Sequence, residues 1–296
     1  MFWYRVLYSF FRLLALLPLR CLYLISDLMF VLVFYVIRYR RKVVKVNLRN
    51  SFPEKAEKER RVIACKFYRF LCDVFVETLK LAIMDTPQIR RRIRYSNPEV
   101  LDELYRKGKQ VFVVTGHYGN WEWLTTLENS KPYQHATLYH PLENKFFDKL
   151  LYDLRTKYGT EVIPSISALM AINQFRYENR LTALCFLSDQ SPPKNAIHYW
   201  TTFLNQDTPV YSGVEKIAKR YNTAVVYYEI LRVKRGYYEV DVTLIAENAA
   251  ETFDYQITNK HVELLEETIR RNPQYWLWSH RRWKHKRIVE KSEKMM

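Results

Sequence analysis

The residues best placed to do chemistry are His117 and Glu122, in the stretch Val111 to Trp123, VFVVTGHYGNWEW. A histidine held in one tautomer by a carboxylate is a general base, able to take the proton from a hydroxyl as that hydroxyl attacks an acyl carbon. On one continuous helix the two would lie roughly 140° apart and share no face. They can meet only if His117 precedes the helix. Val111–Val114 is a short apolar run of strand type broken at Thr115-Gly116, which places His117 at a strand's carboxyl end. Gly119 then permits a tight turn, Asn120 can cap, and Glu122 falls in the first helical turn, where free amides favour a carboxylate. In that arrangement Glu122 accepts a proton from one ring nitrogen while the other faces the cleft. An HxxxxE spacing alone is equally satisfied by a strand-end histidine and a solvated helix charge.

The elements that must position this pair follow an α/β pattern with a largely parallel central sheet flanked by helices. After the box, Ala136 to Tyr139 reads as a strand, Asn144 to Tyr158 as a helix, Glu161 to Ile163 as a strand and Ala168 to Tyr177 as a helix. Leu181 to Leu187 is a further strand, ending at Ser188-Asp189-Gln190. Strand ends at 115, 139 and 187 should collect on one edge, where ligands bind in open α/β sheets. Asp189 at such an end could orient a basic residue or help bind an acceptor headgroup, although a plain turn aspartate before Pro192-Pro193 fits too. Residues 211 to 221 form a helix, Ala224 to Arg232 and Tyr237 to Ile245 a hairpin turning at Lys234-Arg235-Gly236, and Asp254 to Arg271 an amphipathic helix.

Ahead of the box, Leu13 to Ile37 is long enough to cross a hydrocarbon layer of roughly 30 Å. It carries Arg20 and Asp27 on one face and Pro18, which invites a kink. Either that face packs on the protein or the segment enters the membrane at an angle. With no small-residue cleavage site after it, residues 1–42 read as a retained membrane anchor and 43–296 as the globular domain. Arg38, Arg40, Arg41, Lys42, Lys45 and Arg49 follow the apolar run, a bias that places the domain on the cytoplasmic side. Residues 54 to 84 are a second helical stretch of period near 3.6.

The net charge of +16 implies an acidic partner: nucleic acid, anionic lipid or an acidic protein. No finger spacing, RNP-like strand or GxxG loop is present, so lipid is favoured over nucleic acid. Four cysteines without a CxxC pair argue against a zinc site or disulfide framework. No Walker loop or GxGxxG suggests a nucleotide cofactor, and no metal is expected. The segment Trp276 to Arg287 mixes Trp276, Trp278 and Trp283 with Arg281, Arg282 and other cations, which fits rings at headgroup depth and cations on phosphates.

HYGNWE resembles the HxxxxD/E box of glycerolipid acyltransferases, and its Glu form resembles the bacterial late acyltransferases of lipid A biosynthesis, the lauroyl/myristoyl transferase family. Asn47-Leu48 with Ser51-Phe52-Pro53-Glu54 is similar to that family's NL..xFP element, Ser188-Asp189-Gln190 to its ADQ-like element, and NPQYWLWSHRRW, Asn272 to Trp283, to its closing PEQYxWxHRRF. The similarity runs from about residue 15 to 288. By this resemblance Arg155, in Arg155-Thr-Lys-Tyr-Gly159, is a candidate for phosphate or oxyanion contact. Where many members carry an arginine after the second strand's tyrosine, this chain has His140.

The resemblance implies a membrane-associated O-acyltransferase. Its donor would be the thioester of an acidic acyl carrier protein, and its acceptor a hydroxyl of a lipid A precursor, at the cytoplasmic face of the inner membrane. His117 would be the base, Glu122 would stabilise the imidazolium, and amides near Gly119 or Arg155 would meet the oxyanion, with no cofactor. The alternatives are an acyltransferase for another lipid (lysophospholipid or amino-acid-containing), a non-catalytic basic membrane adaptor, and an RNA-binding protein.

Overall fold

The computed structural model describes residues 2–130 and 132–287. Nine strands are present among them: β1 Ile93–Tyr95, β2 Val111–Thr115, β3 Gln134–Tyr139, β4 Glu161–Pro164, β5 Thr182–Leu187, β6 Tyr199–Phe203, β7 Gln206–Val210, β8 Ala224–Lys234 and β9 Tyr237–Ala246. Seven form one sheet in the order β1-β9-β8-β2-β5-β3-β4, while β6 and β7 make a separate antiparallel ribbon. Every pairing in the large sheet is parallel except β8 with β9. The expected mostly parallel α/β sheet is thus present, with its hairpin. Both strands of the ribbon and the short edge strand β1 are additions to the sequence reading.

β2 lies inside the sheet and is buried along its whole length, which is why its sequence is an unbroken apolar run rather than an alternation. Phe112 and Val114 enter one core, and Val111 and Val113 the core on the opposite face. Each such side chain stabilises the fold by about 1.5–3 kcal/mol through burial. The helix α4, Glu57–Lys80, contributes Phe67 and Tyr68 to the first core and Phe70, Val74 and Val76 to the second. Its amino end is capped by the Glu59 carboxylate, which accepts from the Ala56 N–H at 2.8 Å.

The apolar leader is broken where Pro18 predicts. α1, Phe2–Leu16, and α2, Leu19–Val31, flank the break, and one wide helical turn extends α2 through Val36. Leu19–Val36 has the length and composition of a membrane span. Leu24, Leu28, Val36 and Ile37 are exposed, whereas the polar face packs on the protein. Ser26 Oγ donates to Asp73 at 2.7 Å, Tyr23 Oη to Glu77 at 2.9 Å, and Arg235 bridges Asp27 at 2.9 Å and Asp73 at 2.6 Å. Asp27 is therefore tied to the protein, whereas Arg20, which the sequence places on the same face, is exposed.

α3, Arg41–Ser51, follows a turn in which Arg38 and Arg40 both take left-handed backbone, a conformation costing roughly 1–2 kcal/mol per non-glycine residue. Arg40 is held there by a hydrogen bond from its guanidinium to the Ser279 carbonyl at 3.1 Å.

Candidate active site

His117 follows β2 and Asp189 follows β5, and these strands are neighbours in register. Thr115 stands opposite Leu187, so the residues two beyond each strand end meet above the sheet edge. His117 Nδ1 lies 2.6 Å from Asp189 Oδ1, and the His117 backbone N–H donates to Oδ2 at 2.8 Å. Trp276 Nε1–H donates to the same Oδ2 at 2.7 Å. A carboxylate accepting three N–H donors is fixed in position and in charge. Burial alone would raise the Asp189 pKa, but the His117 ring and these donors hold it far below the usual carboxylate range.

Since Asp189 offers only acceptors, Nδ1 carries the proton and Nε2 presents its lone pair. That nitrogen points away from the sheet toward Gln190, whose Nε2 lies 3.2 Å from it. His117 Nε2 is therefore covered by one amide donor. The ring packs edge-on to Trp121 at 5.2 Å between centroids.

Glu122 does not take the role expected for it. Its carboxylate is gripped in a two-point pair by Arg155, with Nε at 2.9 Å and Nη2 at 2.6 Å, and its charge reaches His117 only through space. The physical reason lies in the backbone after the turn: Trp121–Ser130 forms a 3-10 helix, not an α-helix, and Arg155 from α5, Lys145–Thr156, stands beside its first turn. Both partners are largely buried, and each shifts the other toward its charged form against the cost of burial. Arg155 is thus a neutralised wall residue. Together with Glu122 it lines a narrow recess that also includes Trp121, Leu124, Leu138 and Cys185.

Other expected site residues also land differently. Asn120 is fully buried and donates to Glu77 at 2.8 Å instead of capping. Gly119 adopts φ +61°, and a Cβ there would stand 2.7 Å from the Ile230 carbonyl oxygen. Its amide donates to the Tyr275 carbonyl at 3.0 Å, so it is not open to an oxyanion. His140 is exposed just beyond β3, without a hydrogen bond among the described residues, and Arg281 is exposed as well. Arg282 is buried at 2% exposure, with Nε and one terminal nitrogen unpartnered, and burial lowers its pKa to about 10 although Asp189 opposes the shift.

The three tail tryptophans are core residues rather than headgroup rings. Trp276, Trp278 and Trp283 are buried, and their N–H groups go to Asp189, the Pro273 carbonyl and Thr208. The reason is that their segment is stitched to the loop that carries His117. Leu277 N–H donates to the His117 carbonyl at 3.1 Å, and Tyr118 bridges Trp276 as a one-pair ladder. From the other side, Asn47 on α3 donates to the carbonyls of both Trp278 and His280 at 2.9 Å. Gln190 and Trp276 are the site residues that sequence reasoning missed. The first was adjacent to a residue already singled out, and the second was hidden because tryptophan among cations has the same composition on a surface or in a core.

The sequence profile described as bacterial lipid A biosynthesis acyltransferase matches residues 2–285. Among curated proteins the chain is similar to lipid A biosynthesis acyltransferase 2 of Shigella flexneri, at 24% identity over 122 residues, covering 41% of this chain and 39% of that protein. It is also similar to the lipid A biosynthesis myristoyltransferase of Escherichia coli (strain K12), at 24% identity over 119 residues, covering 40% and 37% of the two chains. These matches span about two fifths of the relatives' length. The profile, by contrast, covers nearly the whole sequence and includes every element that builds the His117 site, and on that ground the chain belongs to the bacterial lipid A biosynthesis acyltransferase family.

Proposed function

We propose that the protein is a membrane-associated O-acyltransferase that moves a fatty acyl chain from an acyl carrier protein thioester to a hydroxyl of a lipid A precursor. His117 Nε2 takes the hydroxyl proton, and the oxygen attacks the thioester carbon. Asp189, in the position expected for Glu122, stabilises the imidazolium that forms. Collapse of the tetrahedral intermediate expels the thiolate, which recovers the proton from Nε2. The observation that carries this reading is the His117–Asp189 hydrogen bond at 2.6 Å on the ligand-binding edge of the sheet.

Transfer is direct. Among the described residues, the side chains bonded to the His117 ring are Asp189 and Gln190, neither of them a nucleophile for acyl transfer, and burial pushes the Cys185 thiol up to about 12. Gln190, displaced from Nε2 by the substrate hydroxyl, then offers its neutral N–H to the developing oxyanion. Arg155, already paired with Glu122, fixes the wall of the recess beside Trp121.

Residues 1–42 act as the inner-membrane anchor, with the acyltransferase domain, 43–296, on the cytoplasmic side. The exposed Leu24, Leu28 and Val36 support the first part, and the cations that follow Val36 support the second. The net charge of +16 suits an acidic carrier protein.

The test is incubation of the purified full chain with labelled acyl carrier donors and a panel of hydroxylated lipids, read by mass spectrometry. A lipid A precursor heavier by one acyl chain, absent with His117→Ala, is the expected result. Acylation of a lysophospholipid instead, or product formation that survives His117→Ala, overturns the reading.

A further inference from the structure

A cavity of about 380 Å³ that is separate from the His117 site lies between the end of the apolar leader, α3 and the first half of α4. Its floor is made by Phe34, Val44, Leu48 and Tyr68, all nearly inaccessible to solvent. Five cations, Arg41, Lys42, Lys45, Arg60 and Arg61, line it against a single carboxylate, Glu57. Lys45 and Arg60 share Glu57 at 2.9 and 3.4 Å, and Arg41 lies over the Phe34 ring at 4.7 Å. Lys42 and Arg61 are exposed with no ion pair among the described residues, and Arg60 Nε is buried without a partner. The pocket therefore combines a greasy floor with uncompensated positive charge.

Its position narrows the occupant further. Phe34 belongs to the last turn of Leu19–Val36, the segment with the composition of a span, so the cavity sits where that segment meets water. A charged cavity at that depth faces phosphate headgroups. A protein partner would use a broad surface, whereas a recess whose apolar side is half-buried Ala64 backed by Phe34 and Tyr68 suits a hydrocarbon chain.

We propose that this cavity binds a single phosphate-bearing lipid, its headgroup on the exposed cations and the start of one acyl chain on the Phe34–Tyr68 floor. The site shares no residue with the His117 constellation and is independent of which hydroxyl is acylated. It does share an element with it. α3 presents Lys42 and Lys45 to the cavity and, from its opposite face, Asn47 to the Trp278 and His280 carbonyls. The bound lipid thus braces, at headgroup level, the helix that supports the Trp276–Asp189 contact.

The test uses the full chain in nanodiscs of mixed phosphatidylcholine and phosphatidylglycerol, with lipid retained after release counted by native mass spectrometry. Wild type is expected to retain one phosphatidylglycerol in preference to phosphatidylcholine. Lys42→Ala and Arg61→Ala should each weaken that retention about fivefold. Ala64→Trp, which fills the cavity and keeps every cation, should abolish it, with a melting curve confirming that this variant is folded. If Ala64→Trp does not fold, the two alanine variants decide the matter. Equal retention of both lipids by wild type overturns the proposal, as does undiminished retention by folded Ala64→Trp or by both alanine variants. Protection of Lys42 from amine labelling by an acidic carrier protein, but not by phosphatidylglycerol, would assign the site to a protein and also overturn it.

Discussion

Replacing Asp189 by Asn separates the observed pair from the expected one. Oδ2 of Asp189 receives two N–H donors, from the His117 backbone and Trp276, so an amide at this position must put its oxygen there. Its NH2 then faces His117 Nδ1, where Oδ1 stood at 2.6 Å. An N–H donor in that place forces the ring into the other tautomer, with the proton on Nε2, and the base loses its lone pair. The imidazolium of the transition state also loses its counter-charge. Two unit charges about 4 Å apart, at an effective dielectric near 20, interact by about 4 kcal/mol, which corresponds to roughly a thousandfold in rate.

Asp189→Asn should therefore lower kcat by about three orders of magnitude, with the tautomer penalty added. Donor and acceptor KM should change little, because no substrate contact is removed. Glu122→Gln removes one partner of a buried ion pair, a loss of about 3 kcal/mol in stability, or roughly 5–10 °C in Tm for a chain of this size. Steady-state kinetics with acyl carrier donor, run beside thermal melts, distinguish the two variants. If Glu122→Gln loses the thousandfold with Tm unchanged while Asp189→Asn turns over normally, the assignment of roles is refuted.

Gly119→Ala combines a φ of +61° with a Cβ 2.7 Å from the Ile230 carbonyl oxygen, and should cost about 3 kcal/mol or more, read as a fall in Tm. Asn47→Ala leaves the Trp278 and His280 carbonyls without their donor, at about 1–3 kcal/mol, and should lower kcat because the Trp276 segment loosens. A melt series across pH should show that acid weakens the fold in two windows. Burial lowers the folded His261 pKa to about 4, so the unfolded chain binds the proton first, and stability falls as pH drops from about 6.5 toward 4, a decline that His261→Phe should reduce. Asp189 has a folded pKa far below its unfolded value, so its contribution is complete above about pH 4 and is lost below it, a decline that Asp189→Asn should lack.

Much of the fold was legible because its apolar runs are short, bounded and alternate with helical periods. β2, β5 and the β8–β9 hairpin follow directly from such runs. The edge on which the site lies was legible for the same reason, since His117 and Asp189 each stand two residues past a strand end. What the sequence could not supply was strand order. Only the adjacency of β2 and β5, with Thr115 opposite Leu187, makes Asp189 rather than Glu122 the acid that reaches the ring. The box fixes the distance from His117 to Glu122 along the chain, but the 3-10 turn and Arg155 from a separate helix turn that carboxylate aside. The tail reads differently in the sequence because three tryptophans and a run of cations describe a membrane face and a buried core seam equally well. Burial of Arg282 beside them follows from the long-range contacts to Asn47, His117 and Thr208, none of which is local.

The central claim is tested most directly by the proton on the His117 ring. With 15N-labelled histidine in the detergent-solubilised full chain, multiple-bond NMR correlations should show Nδ1 protonated and Nε2 bare. The strongly hydrogen-bonded Nδ1 proton should persist in Glu122→Gln and vanish in Asp189→Asn. A wild-type ring protonated at Nε2 alone, or an Nδ1 proton that disappears when Glu122 rather than Asp189 is neutralised, would contradict the account.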